Sequence, residues 1–433
     1  MNTNNQTHPQ VHVFNTLPLN QFERTRDAGN TAISRPQEIA HFSYDDNHEF
    51  HLDDSSIRWY YPPDLGTDLN RGFETFRKHD DSKDEHLESL LRALMEKEKT
   101  TNLKTEADII TWRGMMTKII ASLFDSRDGF QMNATGQCML DDELLSCGHQ
   151  ADLCSFVEED HQYKVMTRAR QDARQRPQPG RPSGDAMSFW GYKFETLCLM
   201  PTPWPETSRD YIENRDTEIV NNHAQYCSIV KTKIGSNALV IGGEVDGIYK
   251  GSKSEDGKST EWLELKTSVT PRHRGDDQNF ERKLLKFWLQ SFLLGVPHII
   301  VGKRSPDGIL QSVERINTAQ IPGMVKRGGN NSWDGDMCIN FANQILQFLK
   351  ATIIGDGVWK IRRREKSMAI EVFKVEEKGH GGILSDEFVE WRNTLDQQTV
   401  LNSHAENNTV QMNGLDVTAG DAPQAALADI PMS

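Results

Sequence analysis

The sequence predicts a mixed α/β or α+β domain. Four segments place apolar residues at helical spacing, and short β-branched or alternating runs are interleaved with them. No internal repeat and no Gly- or Gln-rich array interrupts this pattern.

The first helix is expected over His86 to Glu98, where Leu87, Leu90, Leu91, Leu94 and Met95 share one face. A second is expected from about Asp108 to Phe124, with Thr105 as its N-cap. A third follows Phe280, with Leu284, Leu285, Trp288, Phe292 and Leu293 apolar and with Gly295 and Pro297 closing it. A fourth covers Phe341 to Ile353. Strands are expected at Ala238 to Tyr249, Thr260 to Thr267, His298 to Val301 and Gly357 to Arg363. The first 30 or so residues are polar and are expected to be mobile at the tip; the tail from about Asp396 has no periodicity and is expected to be disordered. The body between them, residues 31–390, reads as one large domain.

A 36% hydrophobic share supports a sizeable core. No run reaches the ~18 apolar residues of a membrane span, and the polar MNTNNQTHPQ start lacks a signal peptide's apolar stretch. The expectation is a soluble protein kept inside the cell. The six cysteines are too sparse for a disulfide framework. Cys147, His149 and Cys154 lie close together but lack paired C-x2-C spacing, so ordinary thiols are the better reading than zinc ligands. A net charge of −14 excludes a protein that coats nucleic acid by bulk charge, though not one with a few local Arg and Lys at a phosphate site.

Three segments concentrate chemistry: Gly191-Tyr-Lys-Phe-Glu195, Gly243-Glu-Val-Asp-Gly247 and Glu261-Trp-Leu-Glu-Leu-Lys-Thr267. The last two fall on expected strands joined by a polar stretch with a turn signal at Asp256-Gly257. Residues two apart on a strand point the same way. Glu244 and Asp246 are therefore expected to share one face, Glu264 and Lys266 another, and antiparallel pairing would bring the faces together. Four carboxylates (Glu195, Glu244, Asp246 and Glu264) beside a single lysine repel by several kcal/mol at about 4 Å unless their pKa values rise or a cation enters. All-oxygen ligation favours Mg²⁺ or Mn²⁺. An E-x-K strand preceded by an acidic strand is also the layout of PD-(D/E)xK nucleases. Taken singly, each segment reads equally well as an amphipathic strand with solvated charges.

Taken in order, the three segments resemble the acidic motifs of the DXO-type RNA decapping family. Trp112-Arg113-Gly114 resembles its upstream arginine motif, Trp288-Leu-Gln290 its helical glutamine motif, and Gly302-Lys-Arg304 its Gly-x-Arg motif after a strand. Lys303 departs from the pattern, where an aromatic is usual. The run from Arg35 to Pro63 resembles the fungal branch in particular. The resemblance, spanning roughly residues 30 to 390, implies two β-sheets with flanking helices around a PD-(D/E)xK-like core. It implies that Glu195, Asp246, Glu264 and the Leu265 carbonyl ligate the metal, with Glu244 acting through a water or a second ion. Lys266, Gln290 and Arg113 would hold the scissile phosphate or the RNA 5′ end, and Arg304 would add a phosphate contact. The implied reaction removes triphosphate, incomplete-cap or NAD-cap ends from RNA to leave a 5′ monophosphate, with 5′→3′ degradation in some members. The implied partner is the nuclear 5′→3′ exoribonuclease, which places the protein in the nucleus. The alternatives are a chiefly non-catalytic subunit that stabilises the exoribonuclease, and a PD-(D/E)xK nuclease acting on DNA.

Two basic stretches stay open. Thr167 to Gly184 carries Arg168, Arg170, Arg174, Arg176 and Arg181, with Pro and Gly residues that oppose a continuous helix. It reads as a solvated loop or, more sharply, as an electrostatic guide for RNA. Lys360 to Lys366 reads as a nuclear signal or as a strand with a charged face.

Overall fold

The β-branched and aromatic runs of the chain pair into two sheets. The computed structural model describes residues 10–16, 31–137, 154–174, 182–251, 253 and 260–398. Among these residues the larger sheet has ten strands, in the spatial order Val11–Asn15, Ala369–Glu376, Val358–Arg363, Phe130–Gln137, Cys154–Glu159, Ile109–Trp112, Asn237–Glu244, Gln225–Ile234, Gln37–Tyr44 and Phe50–His51. The smaller has six: Leu310–Asn317, His298–Arg304, Trp262–Val269, Gly247–Ile248, Trp59–Tyr60 and Leu199–Met200. Two sheets with flanking helices agree with the expected fold class.

Helices cover both faces of the larger sheet. Arg113–Ala121, Arg274–Leu294 and Gly335–Thr352 bury Met116, Ile120, Leu289, Leu293, Phe341 and Ile345 in the main core, which also receives Ile299 and Val301 from the smaller sheet. On the far face, Glu88–Thr101 and a helix at 386–398 pack Leu90, Leu91, Leu94 and Phe388 against Ile110, Phe156 and Val240. A third core lies outside the smaller sheet. There the helix Gly184–Cys198 sets Phe189, Trp190, Phe194 and Leu197 against Leu263, Leu265 and Ile300. No described helix is long and apolar enough to cross a membrane.

Several expectations need correction. Residues expected to open the second helix instead form the strand Ile109–Trp112, because Ile-Ile-Thr-Trp suits a central parallel strand, and the helix begins only at Arg113. Thr105 does not cap it; its N–H donates to Glu98 Oε1 at 2.8 Å. Helical backbone runs through Arg174 in the basic stretch, in His161–Arg174, with the Tyr163 N–H donating to Asp160 Oδ1 at 3.0 Å in its first turn. Arg176 falls outside the described residues, as do Arg181, Cys147, His149 and the Asp256-Gly257 turn. Val11–Asn15, expected within a mobile segment, forms the edge strand beside Ala369–Glu376. The basic tract at 360 is a strand as far as Arg363. Lys360 donates to Asp160, Arg362 pairs with Glu371, and Arg363 is buried.

Candidate active site

The expected strand Ala238 to Tyr249 breaks in two. Asn237–Glu244 pairs antiparallel with Gln225–Ile234 in the larger sheet, whereas Gly247–Ile248 pairs antiparallel with Trp262 and Leu263 in the smaller one. Glu244 ends the first strand and Asp246 lies in the crossover, so the two do not share one strand face as expected. Gly243 makes the crossover possible. A Cβ there would stand 2.9 Å from Leu294 Cδ1 and 3.0 Å from Arg113 Cβ.

Among the described residues, the crossover leaves one edge of Trp262–Val269 without a strand neighbour beyond Leu263. The Leu265 N–H donates to Asp246 Oδ2 at 2.5 Å on that edge. N–H and C=O of one strand residue point to the same side, so the Leu265 carbonyl faces the same recess. Glu264 and Lys266 leave one face of the strand, as expected; Leu263 and Leu265 leave the other and pack on the helix that carries Glu195. Ser183 caps that helix by accepting from Ala186 N at 3.1 Å. Gly191 is mid-helix, and a Cβ there would meet nothing within 4 Å. The close approach is Gly302 on the neighbouring strand, where a Cβ would stand 2.6 Å from the Phe194 ring.

Arg113, at the start of its helix, reaches across to the strand ends. Its Nη1 donates to Glu264 Oε2 and to the Glu244 carbonyl, both at 3.0 Å. Lys266 Nζ donates to Glu264 Oε1 at 2.5 Å. The fully buried Glu264 carboxylate is thus held from both sides by cations. Burial opposes its charge, but Arg113 and Lys266 outweigh burial and lower its pKa. The other three carboxylates show the opposite shift. Burial, then Asp246 and Glu244, push Glu195 well above the usual carboxylate range. Burial, then Glu264, raise Asp246 to about 8. Burial raises Glu244 against the pull of Arg113. Among the described residues, neither Glu195 nor Glu244 has a hydrogen-bond or ion-pair partner for its carboxylate.

These groups feel one another's charge without touching. Among the described residues, the groups of three His, Cys, Asp or Glu side chains with ligand atoms within 4.8 Å of one another lie elsewhere in the chain. Glu264 is drawn to Arg113 and Lys266, and Asp246 to the Leu265 amide. The donor set still fits a hard divalent cation, all of it oxygen: Glu195 and Glu244 without partners, Asp246 with one oxygen engaged, the Leu265 carbonyl, and Glu264, whose oxygens are each held by a cation and would have to share a lone pair with the ion. A cation there would favour the ionised forms of Glu195 and Asp246, opposing the burial and mutual repulsion that raise their pKa values.

Gln290 lies on the helix Arg274–Leu294 and lines an open cavity of about 1220 Å³ that reaches Gly114, the chain neighbour of Arg113. Its walls come from three helices besides its own, through Gly114 and Lys118, Lys164 and Arg168, and Gly184 and Ser188. Arg304 is not brought into the recess. Its guanidinium lies 4.2 Å from the centre of the Trp190 ring, burial lowers its pKa, and its Nε has no hydrogen-bond partner among the described residues. Lys283, whose own pKa is lowered by burial and by Arg304, joins it there. Sequence reading missed Lys283, which lies seven residues from Gln290 and so on the same helix face. That spacing was the available signal. Lys303, the departure from the family pattern, is held against Phe280 and Glu314.

Residues 34–389 match the family described as RAI1 like PD-(D/E)XK nuclease. The chain is 50% identical over 381 residues to a protein named decapping nuclease RAI1 from Gibberella zeae, covering 88% of this chain and 96% of that one. It is similar to the crystal structure of Scheffersomyces stipitis Rai1 with (3′-NADP)⁺ and calcium ion, at a TM-score of 0.75 and 29% identity, covering 84% of this chain and 97% of that one. It is also similar to that of Candida albicans Rai1 with pU5-Mn²⁺, at a TM-score of 0.73 and 29% identity, covering 84% and 96%.

Proposed function

The chain belongs to the RAI1-like PD-(D/E)XK nuclease family, and on that premise we propose that it is a divalent-metal-dependent decapping nuclease acting on RNA 5′ ends. The observation that carries the proposal is the recess at the exposed strand edge, where four carboxylates lie close enough to feel one another's charge and Arg113 and Lys266 both grip one of them, Glu264. In this reading Glu195, Asp246, Glu264 and the Leu265 carbonyl hold Mg²⁺ or Mn²⁺, and Glu244 acts through a water or a second ion. The Mn²⁺ and calcium ion of the two related structures support the cation, and their pU5 and (3′-NADP)⁺ support a nucleotide substrate.

The bound cation supplies an activated water and shields phosphate charge. The chain's own groups do the rest. Lys266 orients the water or stabilises negative charge developing on phosphate. Arg113 keeps Glu264 ionised and positioned, and together with Gln290 meets the 5′ phosphate. Arg304 and Lys283 offer a further phosphate contact. The cavity beside Gln290 takes the following nucleotides. The products would be a 5′-monophosphate RNA and pyrophosphate, the incomplete cap or the NAD-derived group. A 5′ monophosphate is what a 5′→3′ exoribonuclease consumes. The reading therefore extends to a nuclear location and a complex with the nuclear exoribonuclease, bound on a surface away from the recess.

The test is product analysis on 5′-triphosphate, unmethylated-cap and NAD-capped RNAs, with and without Mn²⁺, for the parent chain and Glu264→Gln. Monophosphate RNA made only by the parent with metal is expected. Equal turnover by Glu264→Gln, or turnover indifferent to metal, would overturn the reading. Loss of exoribonuclease co-purification in folded Glu264→Gln would overturn the placement of the partner surface.

A further inference from the structure

The chain around His48 gathers ligating side chains that the nuclease reading does not use. His48 Nε2 and His79 Nε2 stand 3.8 and 3.6 Å from the same oxygen, Glu85 Oε1, and the three ligand atoms lie within 4.8 Å of one another. We propose that His48, His79 and Glu85 form a structural zinc site, with His223 or a water in the fourth position.

The separations are too long for hydrogen bonds, whose N···O distance is about 2.7–3.2 Å. They suit atoms that share an ion. Tetrahedral ligands about 2.0–2.1 Å from zinc stand roughly 3.4 Å apart, so the two edges to Glu85 need to shorten by less than about half an ångström and the His48–His79 edge, within 4.8 Å, by at most about 1.4 Å. The imidazole of His48 is set in the tautomer a metal requires. Its Nδ1 lies 3.0 Å from the His223 carbonyl, to which it donates, which leaves a lone pair on Nε2. That Nε2 is buried and, among the described residues, has no hydrogen-bond partner, and neither has His223 Nδ1. A backbone carbonyl holding the far nitrogen is the usual outer-shell partner of a zinc-bound histidine.

The backbone and rings hold the donors in place. His48 sits at a φ of +64°, in the left-handed region, and its ring stacks on Tyr44 with centroids 3.9 Å apart. The His79 ring lies 3.9 Å from that of His48 and 5.3 Å from that of His223. Glu85 is exposed and gives the ion a way in. Two nitrogens and one carboxylate oxygen select zinc over Mg²⁺ or Ca²⁺, which take oxygen ligands.

Such a site would tie three separate stretches together: the Tyr44–His51 hairpin, the segment from Arg77 to His86, and the approach to strand Gln225–Ile234. The middle stretch carries Asp81, which pairs with Arg168 in the cavity wall. The zinc would thus brace that wall from behind without touching substrate.

The test uses the full chain, stripped of metal by chelator and titrated with Zn²⁺ against a chromophoric competitor. Glu264→Gln serves as the background, so that binding in the carboxylate recess is weakened. One zinc equivalent is expected in that background. His79→Gln and Glu85→Gln should weaken it about a hundredfold or more, whereas Glu49→Gln should not. Glu85→Gln alters an exposed side chain, so its metal-free melting temperature should match the parent's and exclude misfolding as the cause. Co²⁺ should give the strong ligand-field bands of a four-coordinate site in the parent and not in Glu85→Gln. Unchanged zinc affinity in both folded variants, or no zinc bound in the Glu264→Gln background, would overturn the site.

Discussion

At the scale of single residues, Glu264 and Lys266 divide the labour of one strand face. Glu264→Gln removes a proposed metal ligand and is expected to abolish every metal-dependent activity together. Lys266→Ala leaves the carboxylates in place and removes one preorganised charge. Such a contact is typically worth ~3 kcal/mol, about a hundredfold or more in rate. The variant should still bind Mn²⁺ by calorimetry while single-turnover decapping collapses. Near-normal turnover would remove Lys266 from the mechanism. The shifted carboxyls give a second expectation, of definite sign. Glu195, Glu244 and Asp246 hold protons more tightly folded than unfolded. Without metal, stability should therefore fall as pH rises from Asp246's ordinary 3.8 to about 8. Glu264 has the opposite sign and loses its contribution only on acidification. A cation replaces the bound protons, so Mn²⁺ should raise the melting temperature more at pH 8 than at pH 6. An equal rise at both would contradict it. The shared face of Glu264 and Lys266 was legible in the sequence because a strand's period is two. The grip of Arg113 on Glu264 was not, since 151 positions separate them and only the fold brings them together.

At the scale of elements, the site depends on how closely one helix approaches one sheet. Phe194 of the Glu195 helix lies against Gly302 of strand His298–Arg304 at a distance no side chain tolerates. The ring is fully buried and has nowhere to swing. Gly302→Ala is therefore expected to cost about 1–3 kcal/mol, the usual range for overpacking. It should also lower decapping more than stability alone explains, because the helix that moves carries Glu195. Chemical denaturation beside turnover measured well below the melting temperature would separate the two effects. Turnover equal to the parent's would show that Glu195 tolerates the shift. The elements themselves were unevenly legible. The end of the long helix at Gly295 was readable, and the glycine does adopt a left-handed φ of +73°. The strand Ile109–Trp112 was not, because apolar residues at 109, 110 and 112 fit a helix face as well as a buried strand. Its parallel pairing with Asn237–Glu244 and Cys154–Glu159 decides the matter, and no local signal encodes that pairing.

At the scale of the whole molecule, a chain of net charge −14 must receive a polyanion. The cavity wall supplies cations, but most are already neutralised. Lys118 and Lys164 both face Glu159, Arg168 faces Asp81, and Lys286 lies 3.2 Å from both Asp125 and Asp128. RNA phosphates would have to displace these carboxylates, so the acids hold affinity down. Glu159 is the informative position because one carboxylate occupies two lysines. Glu159→Gln keeps its size and frees both ammonium groups. We expect tighter binding of 5′-phosphorylated oligonucleotides several residues long, and no change for a mononucleotide that stays within the recess. Each additional phosphate neutralised steepens the salt dependence of single-strand binding by about 0.7 in log–log slope. Two freed lysines should therefore steepen it by roughly 0.7 to 1.4. Fluorescence anisotropy with oligonucleotides of increasing length, repeated across salt concentrations, measures both quantities. An unchanged slope in Glu159→Gln would mean that the RNA does not follow this wall, and the cavity beside Gln290 would lose its place in the substrate path.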